Sequence, residues 1–291
     1  MRKIILAGFG NPLLSLFETL ESEFEIIGII LDFDRKKSNP LFYDEIQKRN
    51  ISIFQFSDVP LFQIDAIVVI NFNKIIDSNI INNRTPIINI HMGVLPLYRG
   101  NYANAWSILN GDKNVGYTVH DVSDVLDGGD IYYKFQYEIK EGETYFNAKK
   151  AISEDIKNNF PSILNAILSR DLIGESQEDY QFIYASKLIP DDGIINWSEN
   201  TEDILNKYIV FARPLGTGLK MKFQGYFVEI SKISRILNFK EARGIHGAVV
   251  YKTKQGSVWV KTNNSAISID EIIVSGKIVK PSEVFKIGDR L

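Results

Sequence analysis

Lys3-Ile4-Ile5-Leu6-Ala7-Gly8-Phe9-Gly10-Asn11-Pro12-Leu13 carries a short apolar run into a glycine turn and then opens a helical pattern over residues 13–23. The run is short and rich in Ile, and reads as a buried strand. The same unit then recurs. Residues 25–31, 51–54, 66–70 and 87–90 are short, rich in Ile and Val, and read as strands, with a second helical pattern at 41–50. Strands alternating with helices predict a parallel sheet covered on both faces. Further helices are expected at 100–110 and 145–170. The second places Ala148, Ile152, Ile156, Phe160 and Ile163 close to a 3.6-residue period.

The pattern changes past Asp171. Residues 174–180 are polar and acidic and read as a linker. A helix at 201–211 is followed by strands at 220–223, 226–236, 248–252, 257–262 and 266–274, separated by turns such as Gln255-Gly256 and Asn263-Asn264. The expected fold is α/β, with a Rossmann-like, mostly parallel sheet domain over residues 1–180. A small β-barrel-like (OB-like) domain is expected over 181–291.

Composition narrows the function classes. The 291 residues carry 33 Lys and Arg against 36 Asp and Glu, a formal net charge of −3. That balance argues against a protein built mainly to grip nucleic-acid phosphates. Cysteine is absent, which excludes disulfides, thiolate metal sites and Cys nucleophiles and fits a cytoplasmic protein. Gly8, Gly10 and Pro12 break the N-terminal apolar run before it can serve as a signal-peptide core. Residues 26–31 and 64–72 fall far short of the roughly 20 residues a membrane span needs. No membrane association is expected.

Two places could carry chemistry. The Gly8-Phe9-Gly10 turn, with Asp32 closing the next strand, is most of a dinucleotide-binding fingerprint and would suit an NAD-dependent oxidoreductase. Leu13 stands where the third glycine belongs, and Pro12 removes a backbone N–H. A plain tight turn explains the same residues. The second place is Asn89-Ile90-His91 at the end of a buried strand. Residues two apart on a strand face the same way, so Asn89 and His91 project side by side where open α/β sheets bind ligands. A third member is Asp127, in Leu126-Asp127-Gly128-Gly129-Asp130-Ile131, where the glycines leave its carboxylate approachable.

Asn89-Ile90-His91, then Leu95-Pro96-Leu97-Tyr98-Arg99-Gly100, then Leu126-Asp127-Gly128-Gly129-Asp130-Ile131 resemble, in order and spacing, the folate-dependent formyltransferases. Tyr184-Ala185-Ser186-Lys187-Leu188, Ile195-Asn196-Trp197-Ser198 and Gly288-Asp289-Arg290-Leu291 are similar to markers of that family's C-terminal module. The resemblance covers nearly the whole chain. Gly93 departs from it, since relatives often have Ser there. It implies transfer of a formyl group from 10-formyltetrahydrofolate, as co-substrate, to a primary amine, with no metal. Asn89 and a protonated His91 would then donate to the oxyanion, while Asp127 accepts the amine proton or holds His91 charged. The pterin site would involve Ile70, Asn71, Phe72, Val122, Ser123 and Asp124. His120 and His246 are expected to be structural or solvent-facing.

Two members of such a family share the two-domain layout: methionyl-tRNA formyltransferases and nucleotide-sugar N-formyltransferases. Residues 190–291 hold 15 Lys and Arg against 11 Asp and Glu, and residues 1–189 hold 18 against 25. Glu175, Glu178 and Asp179 stand where a tRNA binder would want lysines. The run Tyr98-Arg99-Gly100-Asn101-Tyr102-Ala103-Asn104-Ala105-Trp106 also looks like the amino-sugar enzymes. The expected substrate is therefore a UDP- or dTDP-linked amino sugar, in lipopolysaccharide or other surface-glycan synthesis, with small-molecule partners and no nucleic acid. A homodimer is left open. Arg99, Tyr102, Trp106 and Lys187 are the candidate substrate contacts, with Arg99 alternatively a loop brace and Lys187 a diphosphate contact.

Overall fold

The computed structural model describes residues 1–32, 40–59, 63–81, 85–237 and 243–291. Strand β1 (Arg2–Gly8) leads through α1 (Asn11–Leu20) to β2 (Phe24–Leu31), α2 (Pro40–Lys48) and a two-residue β3 (Ile53–Phe54). Then come β4 (Ala66–Ile70), α3 (Ser78–Ile81), β5 (Ile87–His91), β6 (Tyr98–Gly100) and α4 (Ala103–Leu109). Strands β7 (Asn114–Asp121) and β8 (Ile131–Glu138), the long helix α5 (Tyr145–Ser169) and β9 (Ile183–Ala185) follow. Seven strands make one sheet in the order β3-β2-β1-β4-β5-β7-β8. The first five run parallel. β7 pairs with β5 antiparallel, setting Asn89 opposite His120 and His91 opposite Thr118.

Every residue of β4 is buried, as a strand covered on both faces requires. On one face α1 buries Leu13, Leu16 and Leu20, at helical spacing, in a cluster with Ile4, Leu6 and Phe24. Each such side chain contributes about 1.5–3 kcal/mol. α1 starts immediately after Gly10, whose φ of 74° only glycine adopts freely, and carries Pro12 in its first turn. Helix α5 closes the same core with Ile152, Phe160 and Leu164.

Three expectations need correction. The strand expected at 51–54 shrinks to Ile53–Phe54. The helix expected from residue 100 begins at Ala103, because Tyr98–Gly100 instead pairs in parallel with Ile183–Ala185 as a separate two-stranded ladder. The polar segment 174–180 is no free linker. Ile131 and Glu175 exchange both backbone hydrogen bonds at 2.8 Å, and Gln177 is 3% exposed. The Gln177 side chain satisfies buried carbonyls, while Glu175, Ser176, Glu178 and Asp179 are exposed.

Past it come α6 (Thr201–Phe211), β10 (Leu219–Phe223), β11 (Tyr226–Arg235), β12 (Val249–Lys252), β13 (Val258–Lys261), β14 (Ala266–Val274), β15 (Lys277–Val279) and α7 (Pro281–Val284). The strands form an antiparallel sheet in the order β10-β11-β14-β13-β12, with β15 on β14. The Asp203 carboxylate opens α6 by accepting the Asn200 N–H at 3.2 Å. The architecture is thus α/β with a mostly parallel N-terminal sheet and a C-terminal antiparallel one. Two compact units result. One is Met1–Asn104, Gly116–Tyr137 and Lys150–Ser186, and the other Ala105–Val115, Glu138–Lys149 and Lys187–Leu291.

Candidate active site

β5 ends with Asn89 and His91 on one face, and the antiparallel register brings His120 of β7 beside Asn89. The Asn89 amide nitrogen lies 3.0 Å from His120 Nε2 and 3.4 Å from Asp127 Oδ1. His91 Nδ1 lies 3.4 Å from Asp127 Oδ2, and His120 Nε2 3.6 Å from Asp127 Oδ1. The three expected residues therefore meet. His120, expected to be structural or solvent-facing, is 1% exposed and joins them. His246 is exposed.

Backbone acceptors fix the tautomers. His91 Nε2 faces the Tyr98 carbonyl at 2.8 Å, and a carbonyl only accepts, so Nε2 carries the proton. His120 Nδ1 donates to the Asp121 carbonyl at 2.6 Å, which leaves Nε2 to accept from Asn89. The second Asn89 N–H has only the long contact to Asp127 and is the one able to turn to a substrate. The Gly100 N–H donates to Asp127 Oδ2 at 2.7 Å.

Burial drives the His91 pKa below the usual histidine value, against the opposing pull of Asp127 and the Tyr98 carbonyl. A neutral imidazole near pH 7 thus replaces the expected imidazolium. Burial also works against the Asp127 carboxylate. The neighbouring His120 and His91 imidazoles and the Gly100 N–H together outweigh it and hold the carboxyl below the usual range.

The loop carrying Asp127 is tightly built. Asp127 itself has φ 49°. The glycines after it serve close packing, since a Cβ on Gly129 would lie 2.0 Å from the Asp121 carbonyl and one on Gly128 2.7 Å from Val125. Gly93 is explained the same way, with a Cβ there 2.5 Å from that of Ala103 and 2.8 Å from His91 Nε2.

The cluster lies on the wall of a cavity of about 830 Å³ formed by residues of the first unit alone. Of the expected cofactor residues, Asn71, Phe72, Val122, Ser123 and Asp124 line it. Asn71, at φ 51°, donates to the Phe9 carbonyl at 2.9 Å, and Phe72 packs edge-on to Phe56. Ile70 does not line it. Its side chain belongs to the core, and Val69, on the opposite face of β4, lines the cavity instead. Tyr102 reaches the rim, half exposed. Arg99 does not, being 3% exposed with its guanidinium 3.9 Å over the Phe182 ring and 3.2 Å from Gln177 Oε1. Trp106, half-buried on α4, and Lys187, exposed, both belong to the second unit. Gln177, Tyr184 and Ala185 were missed. The last two line the cavity, and no periodicity marks any of them.

The glycine turn is a different structure. A Cβ on Gly8 would lie 2.1 Å from the Ile70 carbonyl, so Gly8 serves strand packing. Phe9 is buried against Phe42 and Tyr43. Asp32 is 2% exposed, with Oδ1 lacking a hydrogen-bond partner among the described residues. Among the described residues no group of three or more His, Asp or Glu could hold a metal ion. No helix among them is long and apolar enough to cross a membrane.

Residues 53–164 match the family model for formyl transferase, and residues 187–288 match that for the formyl transferase C-terminal domain. The chain belongs to the formyl transferase family. This formyl transferase is 28% identical over 302 residues to methionyl-tRNA formyltransferase of Alkaliphilus metalliredigens, covering 98% of this chain and 93% of that one. Its fold is similar to that of WlaRD, a sugar 3N-formyl transferase solved in the presence of dTDP and 5-N-formyl-THF. There the TM-score is 0.70 at 18% identity, over 92% of this chain and 97% of that one. It is also similar to HypX from Aquifex aeolicus in complex with tetrahydrofolic acid, with TM-score 0.60 at 19% identity over 98% of this chain. The match covers 46% of HypX, so the chain spans about half the length of that protein.

Proposed function

We propose that this enzyme moves a formyl group from 10-formyltetrahydrofolate to the primary amine of a UDP- or dTDP-linked amino sugar. The observation that carries the reading is the meeting of Asn89, His91 and Asp127 on one cavity wall at the carboxyl ends of the strands. The cavity, about 830 Å³, has the size of a small-molecule site. Phe72 and Val122 give it apolar lining, and Asn71 and the 122–124 segment bring backbone groups suited to a polar heterocycle. The folate supplies the formyl group bonded to N10.

The chain's own residues do the rest. The attacking nitrogen must lose a proton as its bond to the formyl carbon forms. The His91–Asp127 pair, with a neutral imidazole and an ionised carboxylate, can take one proton at His91 Nδ1, which then lies between the two groups. The Tyr98 carbonyl keeps the ring oriented throughout. The second N–H of Asn89, turning from its long contact with Asp127, donates to the oxygen where negative charge develops. The proton held by the pair is then available to the departing nitrogen. Asp124 and Asp127 give the cavity negative charge that draws in an ammonium. Asn89, His91 and Asp127 act in the chemistry on this reading. Asn71, Phe72, Val122, Ser123 and Asp124 hold the folate, and Tyr102 meets the acceptor.

The acidic balance of residues 1–189 supports a sugar acceptor, as does the acidic character of Glu175, Glu178 and Asp179. The likeness to methionyl-tRNA formyltransferase over nearly the full chain favours the second reading, a tRNA acceptor. The sugar reading places the enzyme in the cytoplasm, with its product entering surface-glycan synthesis. Mass spectrometry decides between the acceptors. The protein is incubated with 10-formyltetrahydrofolate and either a panel of nucleotide-linked amino sugars or methionyl-tRNA. Gain of one formyl group on a sugar nucleotide is expected. Formylation of the tRNA alone would overturn the sugar assignment.

A further inference from the structure

Gln177 lies outside every motif that marks the site, yet its amide nitrogen is directed at the loop that carries Asp127. Its Nε2 donates to the Asp127 carbonyl at 3.1 Å and to the Gly129 carbonyl at 2.5 Å. Its Oε1 accepts from Arg99 Nη2 at 3.2 Å. Gln177 and Arg99 are both 3% exposed, and the guanidinium is stacked on Phe182. A buried amide with these partners is strongly held, because losing them would leave carbonyls unpaired away from water.

From these contacts we infer that Gln177 is a positioning residue for formyl transfer, clamping the Asp127–Gly129 backbone so that the carboxylate meets His91 and Asn89. Asp127 sits at φ 49°, a conformation a non-glycine residue keeps only when its surroundings over-determine it. Two of those surroundings belong to one short strand. In Tyr98–Gly100 the Gly100 N–H holds the Asp127 carboxylate, and Arg99 holds Gln177, which holds the Asp127 backbone. Pairing of Arg99 with Tyr184 and of Gly100 with Ala185 then ties the segment that follows Gln177 to the same strand. Side chain and main chain of Asp127 are therefore fixed from one anchor. The contacts to His91 and Asn89, both 3.4 Å, are long enough that a small displacement would break them. The stretch that reads in sequence as an acidic linker is on this account a strap over the catalytic loop.

The inference rests on the formyl-transfer reading only for its kinetic consequence, so the test has two arms. Gln177→Met keeps the length and removes every hydrogen bond. Gln177→Glu keeps the acceptor for Arg99 and turns the two donors into an acceptor facing two carbonyls. In the first arm, hydrogen–deuterium exchange is followed without substrate. Both variants are expected to speed exchange of residues 125–131 at least tenfold while β1 and β4 keep wild-type protection. Unchanged exchange at 125–131, or acceleration spread evenly over the sheet, would overturn the clamp. In the second arm, kcat is expected to fall about ten- to a hundredfold, the scale of a misplaced catalytic group, with KM for both substrates within about threefold. In an Asp127→Asn background the further loss from Gln177→Met should shrink to less than about threefold. A full additional loss there, or a wild-type kcat per folded molecule, contradicts the role. A wild-type protein that formylates no amine would sink the formyl-transfer reading alone, since the exchange arm still decides whether Gln177 holds the loop.

Discussion

The turn at Gly8–Gly10 closes parallel strand β1, the cluster at Asn89, His91 and Asp127 gathers at the end of parallel strand β5 of the same sheet, and both look like sites in the sequence. They solve opposite problems. At the turn, glycine is needed because the Ile70 carbonyl would stand 2.1 Å from any Cβ on Gly8, and Phe9 fills the space beyond with aromatic packing. At the cluster, polar side chains stay beside a cavity and are satisfied mainly by each other and by backbone groups. A glycine pattern reports close approach of backbone, whatever approaches it. Polar groups converging from β5, β7 and a loop after β7 have no packing explanation.

That contrast breaks first if the cluster can be emptied without cost to turnover. Asn89→Ala and His91→Ala are each expected to lower kcat about a hundredfold or more, the scale for losing a donor to a developing oxyanion in the first case and a positioned proton acceptor in the second. Steady-state rates on a verified acceptor check this, and near-wild-type rates in both variants would remove the cluster from the chemistry. Gly8→Ala should show the reverse. Overpacking against the Ile70 carbonyl is expected to cost about 1–3 kcal/mol of stability in denaturant unfolding. Turnover per folded molecule should hold, and a selective loss of rate would make the turn part of the site.

The smallest effect expected is on stability against pH. The His91 pKa in the folded chain lies below the unfolded value of about 6.5, so the unfolded chain binds more protons in that window. Stability is then full above about pH 6.5 and declines as the pH drops through it. The depressed Asp127 carboxyl adds a second loss below about pH 4. A thermal midpoint that falls between about pH 7.5 and 5.5, and falls less in His91→Gln, is the expected result. An equal fall in both proteins would mean that His91 is not the buried group responsible.

Much of this was legible beforehand. The parallel strands β1, β2, β4 and β5 announced themselves because burial leaves runs rich in Ile and Val, and the period of α5 is plain. The pair Asn89 and His91 followed from strand geometry alone. What stayed hidden was set by partners distant in sequence. His120 belongs to the site because β7 runs antiparallel beside β5, a register no local pattern encodes. Arg99 points to Gln177 rather than to the cavity because Tyr98–Gly100 is a strand, paired with residues some eighty positions away. The charge of His91 was misjudged for a related reason. The approach of a carboxylate can be guessed from motifs, whereas the extent of burial that outweighs it cannot.

The central claim is that Asp127 serves the chemistry and not merely its turn. Asp127→Asn retains size and hydrogen-bonding shape while removing the charge and the proton-accepting pair with His91. Single-turnover formyl transfer, measured beside the thermal midpoint on one preparation, tests it most directly. The expected result is a rate at least about a hundredfold lower with the thermal midpoint within a few degrees of wild type. A stable Asp127→Asn enzyme that transfers the formyl group at the wild-type rate would contradict the account.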